Sequence, residues 1–403
     1  MPQRDRAFWE KVPFMRAIQQ GPAPLPPGAR DERLDMFRGL ALVMIFINHV
    51  PGTVFEYLTN RNYGFSDAAE AFVFMSGVAA GLAYSGAFLK QMPVWLAVAR
   101  PWARARQLYF VHLTLTFIFL ATFAGAAHFF GLYELLELNN LRAMVREPLS
   151  VLVGIPLLTH QFGYLNILPL YLTLLLLTPL LIVAGLKKPY WLVAGSFLVW
   201  LAAGMFRLNF PNFPNSGGWF FNPFSWQLLF VIGLVAGIGM KLGKRAFPAN
   251  PAVFLAALGF LILAILWMKV KPVGNVGNGF LRLLWQMGAP FHIHSFDKTF
   301  LSLPRLLHAL CLFYVFASIP AMQGIAASRW ASPLRAMGRQ GLPVFATGTA
   351  LSLLLQAVKV GMPTDVWGDA LLLGTGLTIQ IGLAYGLNRT VAMRAEFARA
   401  RVA

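Results

Sequence analysis

Long apolar runs alternate with short polar stretches from residue 37 to residue 387. A helix of about 20 residues spans a hydrocarbon layer about 30 Å thick. The runs predict ten such helices, at 37–58, 68–89, 108–130, 164–184, 190–206, 226–240, 252–268, 306–322, 342–360 and 367–387. The polar stretches are not equivalent. Lys90, Arg100, Arg104 and Arg106 follow the second run, Lys187 and Lys188 the fourth, Lys241, Lys244 and Arg245 the sixth, and Arg329, Arg335 and Arg339 the eighth. Lys and Arg concentrate in cytoplasmic loops of membrane proteins. Ten crossings with both termini cytoplasmic put all of these loops on that side. The predicted fold is all-α, a polytopic transmembrane helical bundle.

The remaining stretches divide the chain further. Residues 1–32 read as a flexible cytoplasmic tail with a short surface helix near 8–18, residues 33–388 as the membrane domain, and 389–403 as a basic cytoplasmic tail. No apolar core of a cleavable signal occurs in the first 30 residues, so the first span is expected to direct its own insertion. Segment 131–161 is mixed, an interfacial helix followed by a piece at 148–161 too short to span. The stretch RLNFPNFPNSGGWFFNPFSWQ (207–227) reads as an irregular outer loop whose aromatic residues suit an interface or a lid over a polar cavity. Residues 269–304 form the longest non-apolar connection.

Composition narrows the classes. Of the 403 residues 58% are hydrophobic and only 12% charged, too few to clothe a water-facing surface. The net charge of +18 by itself suggests nucleic acid. The cations cluster between apolar runs, however, and no Arg-rich hydrophilic module is present, so a lipid bilayer is the expected partner and nucleic acid is not. The single cysteine, Cys311, excludes an intrachain disulfide framework and a multi-cysteine metal site.

Candidate chemistry gathers in residues 33–70. The first run opens with Arg33, Asp35 and Arg38 and carries His49 well inside it. On one helix, Arg38 and His49 lie within about 20° of the same face and about 16 Å apart along the axis. With Arg38 at one membrane edge, His49 falls near mid-membrane, where ionisable groups mark sites or polar paths. A neutral imidazole there can take a proton from a hydroxyl attacking an activated acyl group. Asp35 and Arg38, three apart, form a pair at the mouth. Arg33, Arg38, Arg100, Arg104 and Arg106 suit the phosphates of a nucleotide-bearing donor, or serve topology alone. Glu70, one turn into the second run, reaches the depth of His49 and is expected to orient the imidazole or line the acceptor path; with Asp67 it also makes a capping-box pattern. Asp67, Trp226, His292, His294, Lys298, Arg305 and His308 are expected on the acceptor side. His292-x-His294 lacks further ligands nearby, so no metal is expected. His112, His128 and His160 read as structural or interfacial. No Walker lysine motif, dinucleotide fingerprint, G-x-S-x-G elbow or H-E-x-x-H occurs. A transporter of an anionic solute, a different class, also accommodates buried His and Arg.

Arg33, Asp35, Arg38, Gly39 and His49 resemble the first-helix signature of acyltransferase-3-like membrane acyltransferases. The stretch RNYGFSDAAEAFVFMSG (61–77) resembles the OpgC family, as do NPFSWQLLFVIG (222–233), RLLHALCLFYV (305–315) and LRAMGRQGLPVF (334–345). That resemblance implies a multi-pass enzyme of the bacterial inner membrane. It would take succinyl from cytoplasmic succinyl-CoA and esterify hydroxyls of a periplasmic osmoregulated glucan, with no permanently bound cofactor. His49 would be the base, Arg38 its signature partner, and Arg100, Arg104 and Arg106 the CoA-side cations, although their spacing departs from the family's tight R-x-x-R. O-acetyl transfer to another envelope polysaccharide fits the first-helix signature equally.

Overall fold

The computed structural model describes residues 13–20, 30–90, 92–245, 247 and 249–400. Among them the regular elements are helices, with one isolated antiparallel bridge between Pro211 and Gly218. In chain order the α-helices are α1 (Pro13–Gln20), α2 (Glu32–Asn48), α3 (Ala68–Leu89), α4 (Val94–Phe130), α5 (Leu141–Arg146), α6 (Pro148–Gly154), α7 (Ile167–Lys187), α8 (Pro189–Phe206) and α9 (Pro223–Lys241). There follow α10 (Pro251–Lys269), α11 (Lys271–Gln286), α12 (Phe291–His294), α13 (Leu303–Ser318), α14 (Ala321–Ala327), α15 (Ser332–Arg339), α16 (Gly341–Gly361) and α17 (Val366–Ala400). Eight of those described are long and apolar enough to cross a membrane, nine if α13 and α14, bent by 82°, form one span.

The ten expected runs reappear as helices, and the differences lie at their ends. The second matches residue for residue. The first is corrected: α2 begins at Glu32 and stops at Asn48, with 17 residues, where a span to residue 58 was expected. Val50 precedes Pro51, a position that disfavours helical backbone, and Gly52 follows at φ +80°. His49 is therefore the residue that ends the helix rather than a mid-helix group. The loop expected to hold Arg100, Arg104 and Arg106 is instead the first part of the 37-residue α4, which carries Pro101 inside it. The connection at 269–304 contains the 16-residue α11, with Pro272 in its first turn. Val276, Phe280 and Leu283 share one face of α11 and are exposed, the pattern of a helix lying in a membrane interface. The eighth run bends between Ser318 and Ala321, at Pro320.

At the ends, α1 lays Ile18 in a small apolar cluster with Phe254 of α10 and Val315 of α13. Of the short helix expected near 8–18, residues 13–18 belong to α1 and 8–12 lie outside the described residues, as do 401–403; up to Ala400 the expected basic tail is a continuation of α17.

Two close helix approaches organise the centre. Gly77 and Gly81 of α3 face Gly233 and Gly237 of α9, and a Cβ on any of them would overlap a carbonyl of the partner helix. Small residues four apart on both partners let backbones meet and pack by dispersion, the main attraction between helices in lipid. Gly39 of α2 and Gly338 of α15 approach the partner backbone in the same way. Around these contacts the main core joins Phe72 and Phe74 of α3, Leu170 and Leu175 of α7, and Trp226 and Phe230 of α9.

Candidate active site

His49 is held from three directions. Its backbone N–H still closes the last turn of α2 on Ile45 O at 3.0 Å. Its carbonyl accepts from Gln356 Nε2 of α16 at 2.7 Å, and Gln356 Oε1 accepts in turn from Asn139 Nδ2 at 3.2 Å. Its ring lies 4.5 Å, centroid to centroid, from that of Tyr164, whose φ of +68° is costly for a residue with a side chain. The imidazole Nδ1 is buried and has no hydrogen-bond partner. A buried polar atom without a partner is uncommon.

The ring faces a cavity of about 780 Å³ that Asp67, Lys298, Arg305, Arg61, Asn48 and Tyr164 also line. Trp219 and Phe220, from the loop joining α8 to α9, form part of its wall. The bridge between Pro211 and Gly218 and the bond from Trp219 N–H to Phe210 O at 2.9 Å shape that loop. The loop thus supplies part of the wall of a polar cavity.

Beside His49 stands a cluster of four charges. Lys298 Nζ donates to Asp67 Oδ2 at 2.5 Å, and Arg305 Nη2 lies 3.2 Å from the same oxygen. Arg305 also donates Nε to Glu70 Oε1 at 2.8 Å, with Nη2 2.6 Å from that atom. Glu70, wholly buried, uses Oε2 to accept from Asp67 N–H at 2.9 Å, while Asp67 Oδ1 accepts from Ala69 N–H at 2.8 Å. The capping box starts α3 and orients the cluster at once. Two carboxylates and two cations balance, which buried charges require. Both Glu70 oxygens are occupied by Arg305 and the Asp67 backbone, so its bonds run to the cluster rather than to the imidazole.

At the opposite end of α2 lies a second charged set. Asp35 accepts from Arg30 Nε at 2.5 Å and from Arg339 Nε at 3.4 Å, and Arg38 Nη1 is 3.9 Å away. Arg38 also donates to Gly338 O at 3.1 Å. Arg33 pairs with Asp31, Nη2 to Oδ2 at 2.7 Å. Arg335 donates to the carbonyls of Ala326 and Ser328 and lies 3.5 Å from Glu32. From α4, Arg104 comes within electrostatic reach of Arg38 and Tyr171. Arg106, about 200° further round the helix, belongs to the exposed stripe of Trp102 and Phe110. Arg100 is exposed. A run of ring contacts links the two ends. Phe345 lines the His49 cavity and packs on Phe72 at 5.9 Å, and Phe72 meets Tyr171 at 6.4 Å.

The structure therefore brings together His49, Asp67, Lys298 and Arg305 in one cavity, with Glu70 directly behind. It does not bring the other expected acceptor residues to that cavity. His308 accepts from the Ser66 backbone, Nδ1 at 3.3 Å, and sits 2.7 Å from Ser66 Oγ, bracing the turn before α3. His292 is buried against Trp200 at 4.7 Å, and His294 is half-buried in the same short helix. Trp226 is buried and donates Nε1–H to Lys298 O at 2.9 Å, so it holds the loop that presents Lys298. Among the described residues no three His, Cys, Asp or Glu side chains are grouped to hold a metal ion. Sequence reasoning did not single out Tyr164, Asn139 or Gln356. Each is a single polar or aromatic residue in an apolar or loop context, and only the Asn139-Asn140 pair carries a turn signal of its own.

A family model described as OpgC protein matches residues 30–391. The chain belongs to the OpgC family. No curated protein and no solved structure matches it. Membership and the multi-pass helical architecture make this OpgC family member an acyl-CoA-dependent O-acyltransferase of the inner membrane that acts on a periplasmic glucan. The family match covers both charged sets and the cavity lined from α2, α3 and the loop joining α8 to α9.

Proposed function

We propose that this chain transfers succinyl groups from cytoplasmic succinyl-CoA to glucose hydroxyls of a periplasmic osmoregulated glucan, with His49 as general base. The observation that carries this reading is the imidazole of His49, which lines a cavity rich in hydrogen-bonding groups together with Asp67, Lys298 and Arg305. In the proposed reaction a glucan hydroxyl gives its proton to neutral His49 as its oxygen attacks the thioester carbonyl. The C–S bond then breaks, and the imidazolium returns the proton to the departing CoA thiolate. The product is a succinyl ester and free CoA. Asp67, Lys298 and Arg305 supply acceptors and donors for the sugar's other hydroxyls, and Glu70 acts as a positioning residue that aims Arg305.

The donor is assigned to the Arg38 end. Arg38 and Arg104, from two different helices, converge there beside Tyr171, which suits charge-assisted bonds to CoA phosphates. The pairs Arg33–Asp31 and Asp35–Arg30 frame that entrance. Arg100 and Arg106 are exposed on α4. Lys90, Lys187, Lys188, Lys241, Lys244 and Arg245 fall at helix ends on the Arg38 side as the chain alternates, which supports a cytoplasmic Arg38 side and a periplasmic His49 side.

Liposomes containing the purified protein test the reading directly. Label from succinyl-CoA should appear in glucan, and His49→Ala that inserts normally should lose about 10²–10⁴-fold in rate. Unchanged transfer in that variant removes His49 as the base. Transfer from acetyl-CoA in preference to succinyl-CoA replaces the donor assignment, and label crossing the bilayer without product favours transport.

A further inference from the structure

A second cavity adjoins the first. It encloses about 490 Å³ between the 137–147 segment and the tip of the loop joining α8 to α9. Asn140 and Asn212 line both cavities, so the two share a wall and open on the same side of the molecule. Each of the segments that build it is packed or bonded to a neighbouring part of the chain. The carbonyl of Phe213 lies so near Gly154 of α6 that a Cβ there would crowd it, and Asn140 Nδ2 donates to Gln161 O at 3.1 Å.

We propose that this second cavity is a subsite for the glucose units that neighbour the acylated one, so that the two cavities form one cleft for an extended, uncharged glucan. The proposal rests on the glucan-acylating reading given above. Any unit of a polymer that reaches His49 has neighbours, and these need a polar surface continuous with the site. The wall shared by Asn140 and Asn212 provides it.

The chemistry of the lining matches the ligand class. Arg142 and Arg146 face Glu137 and Glu147, with Asn215 and Ser216 completing the wall. Their charges cancel, and Arg142 Nε lies 3.2 Å from Glu137 Oε2. An anionic ligand requires surplus positive charge, and an apolar one requires apolar walls. A balanced set of guanidinium, carboxylate, amide and hydroxyl groups instead offers donors and acceptors in the mixture that sugar hydroxyls present. The volume falls within the range of about 300–1,000 Å³ typical of small-molecule sites. The aromatic residues lie in the other cavity, which Tyr164, Trp219 and Phe220 line together with His49. The reacting unit is thereby assigned to ring faces and its neighbours to polar edges.

Acceptor length is the test. In liposomes with succinyl-CoA, transfer to methyl glucoside is compared with transfer to a linear gluco-oligosaccharide. The native chain should show a lower KM for the oligosaccharide. Arg146→Ala combined with Asn215→Ala should raise that KM by about tenfold, which corresponds to about 1.4 kcal/mol, and so collapse the KM ratio between the two acceptors. Turnover of methyl glucoside reports whether the variant is folded. Equal KM values for both acceptors in the native chain, or an unchanged ratio in the variant, overturn the subsite. No transfer to either acceptor overturns the acyl-transfer reading itself. Should the double variant fail to fold, Asn215→Cys in a Cys311→Ala background gives an independent measurement. The oligosaccharide should protect that thiol from a membrane-impermeant maleimide while methyl glucoside does not, and equal labelling in both overturns the proposal.

Discussion

At the scale of single residues, the site depends on which polar atoms are occupied and which are free. Glu70 and Arg305 satisfy each other in a buried position, and Asp67 Oδ2 serves both Lys298 and Arg305. Removing one member leaves a buried charge without its partner, a loss of about 3–5 kcal/mol. Glu70→Ala and Arg305→Ala should each lower detergent-solubilised Tm markedly. Glu70→Gln combined with Arg305→Met should recover much of it while transfer stays impaired, since Asp67 and Lys298 lose their alignment. Stability of the double variant no better than either single variant would dissociate the pair from folding. The residues of this cluster were legible as chemistry in the sequence because charged residues stand out in apolar surroundings. Their partners were not legible. Asp67 and Lys298 are 231 positions apart, and only packing brings them to 2.5 Å.

At the scale of elements, the paired small residues of α3 and α9 set how closely the bundle centre closes. Gly77→Leu places a side chain against the Phe230 carbonyl, and Gly233→Leu does the same against Phe74. Either should abolish folded protein in the membrane, measured by monodisperse yield from detergent, whereas Gly259→Leu on α10, with open space around its Cα, should not. Helix phase likewise separates the arginines of α4. Arg104 is half-buried toward Arg38 and Tyr171, while Arg106 is on the exposed stripe. Arg104→Ala should raise the KM for the acyl-CoA donor by about tenfold or more, in keeping with about 1.5–3 kcal/mol for a hydrogen bond to a charged group. Arg106→Ala should leave that KM unchanged. Equal effects of the two would detach donor binding from this face. These distinctions follow from α4 beginning at Val94, which hydropathy hid because Arg100, Arg104 and Arg106 interrupt the apolar run.

At the scale of the whole molecule, alternation of helix ends sorts the loops into two sides, one carrying Arg38 and the basic connections, the other carrying both cavities. Single cysteines introduced in a Cys311→Ala background test this sorting. Lys188→Cys and Asn215→Cys should react with an impermeant maleimide from opposite sides of oriented vesicles, with Asn215→Cys on the periplasmic side. Labelling of both from one side would reverse or break the proposed topology. The sequence by itself determined the all-helical membrane class, the centres of the apolar helices and the concentration of ionisable residues near α2 and α3. Those follow from local composition, since apolar length and charge are properties of a contiguous stretch. The family resemblance rested likewise on contiguous motifs, above all residues 61–77. The tertiary structure alone decided that Lys298 and Arg305 join Asp67, that His292 and His308 pack away from the cavity, and that Tyr164 and Gln356 hold His49. It also decided that the loop joining α8 to α9 and the 133–166 segment both supply walls to the two cavities. Such outcomes depend on which helix faces meet. That is set by close packing among residues hundreds of positions apart, and no stretch of the chain carries it alone.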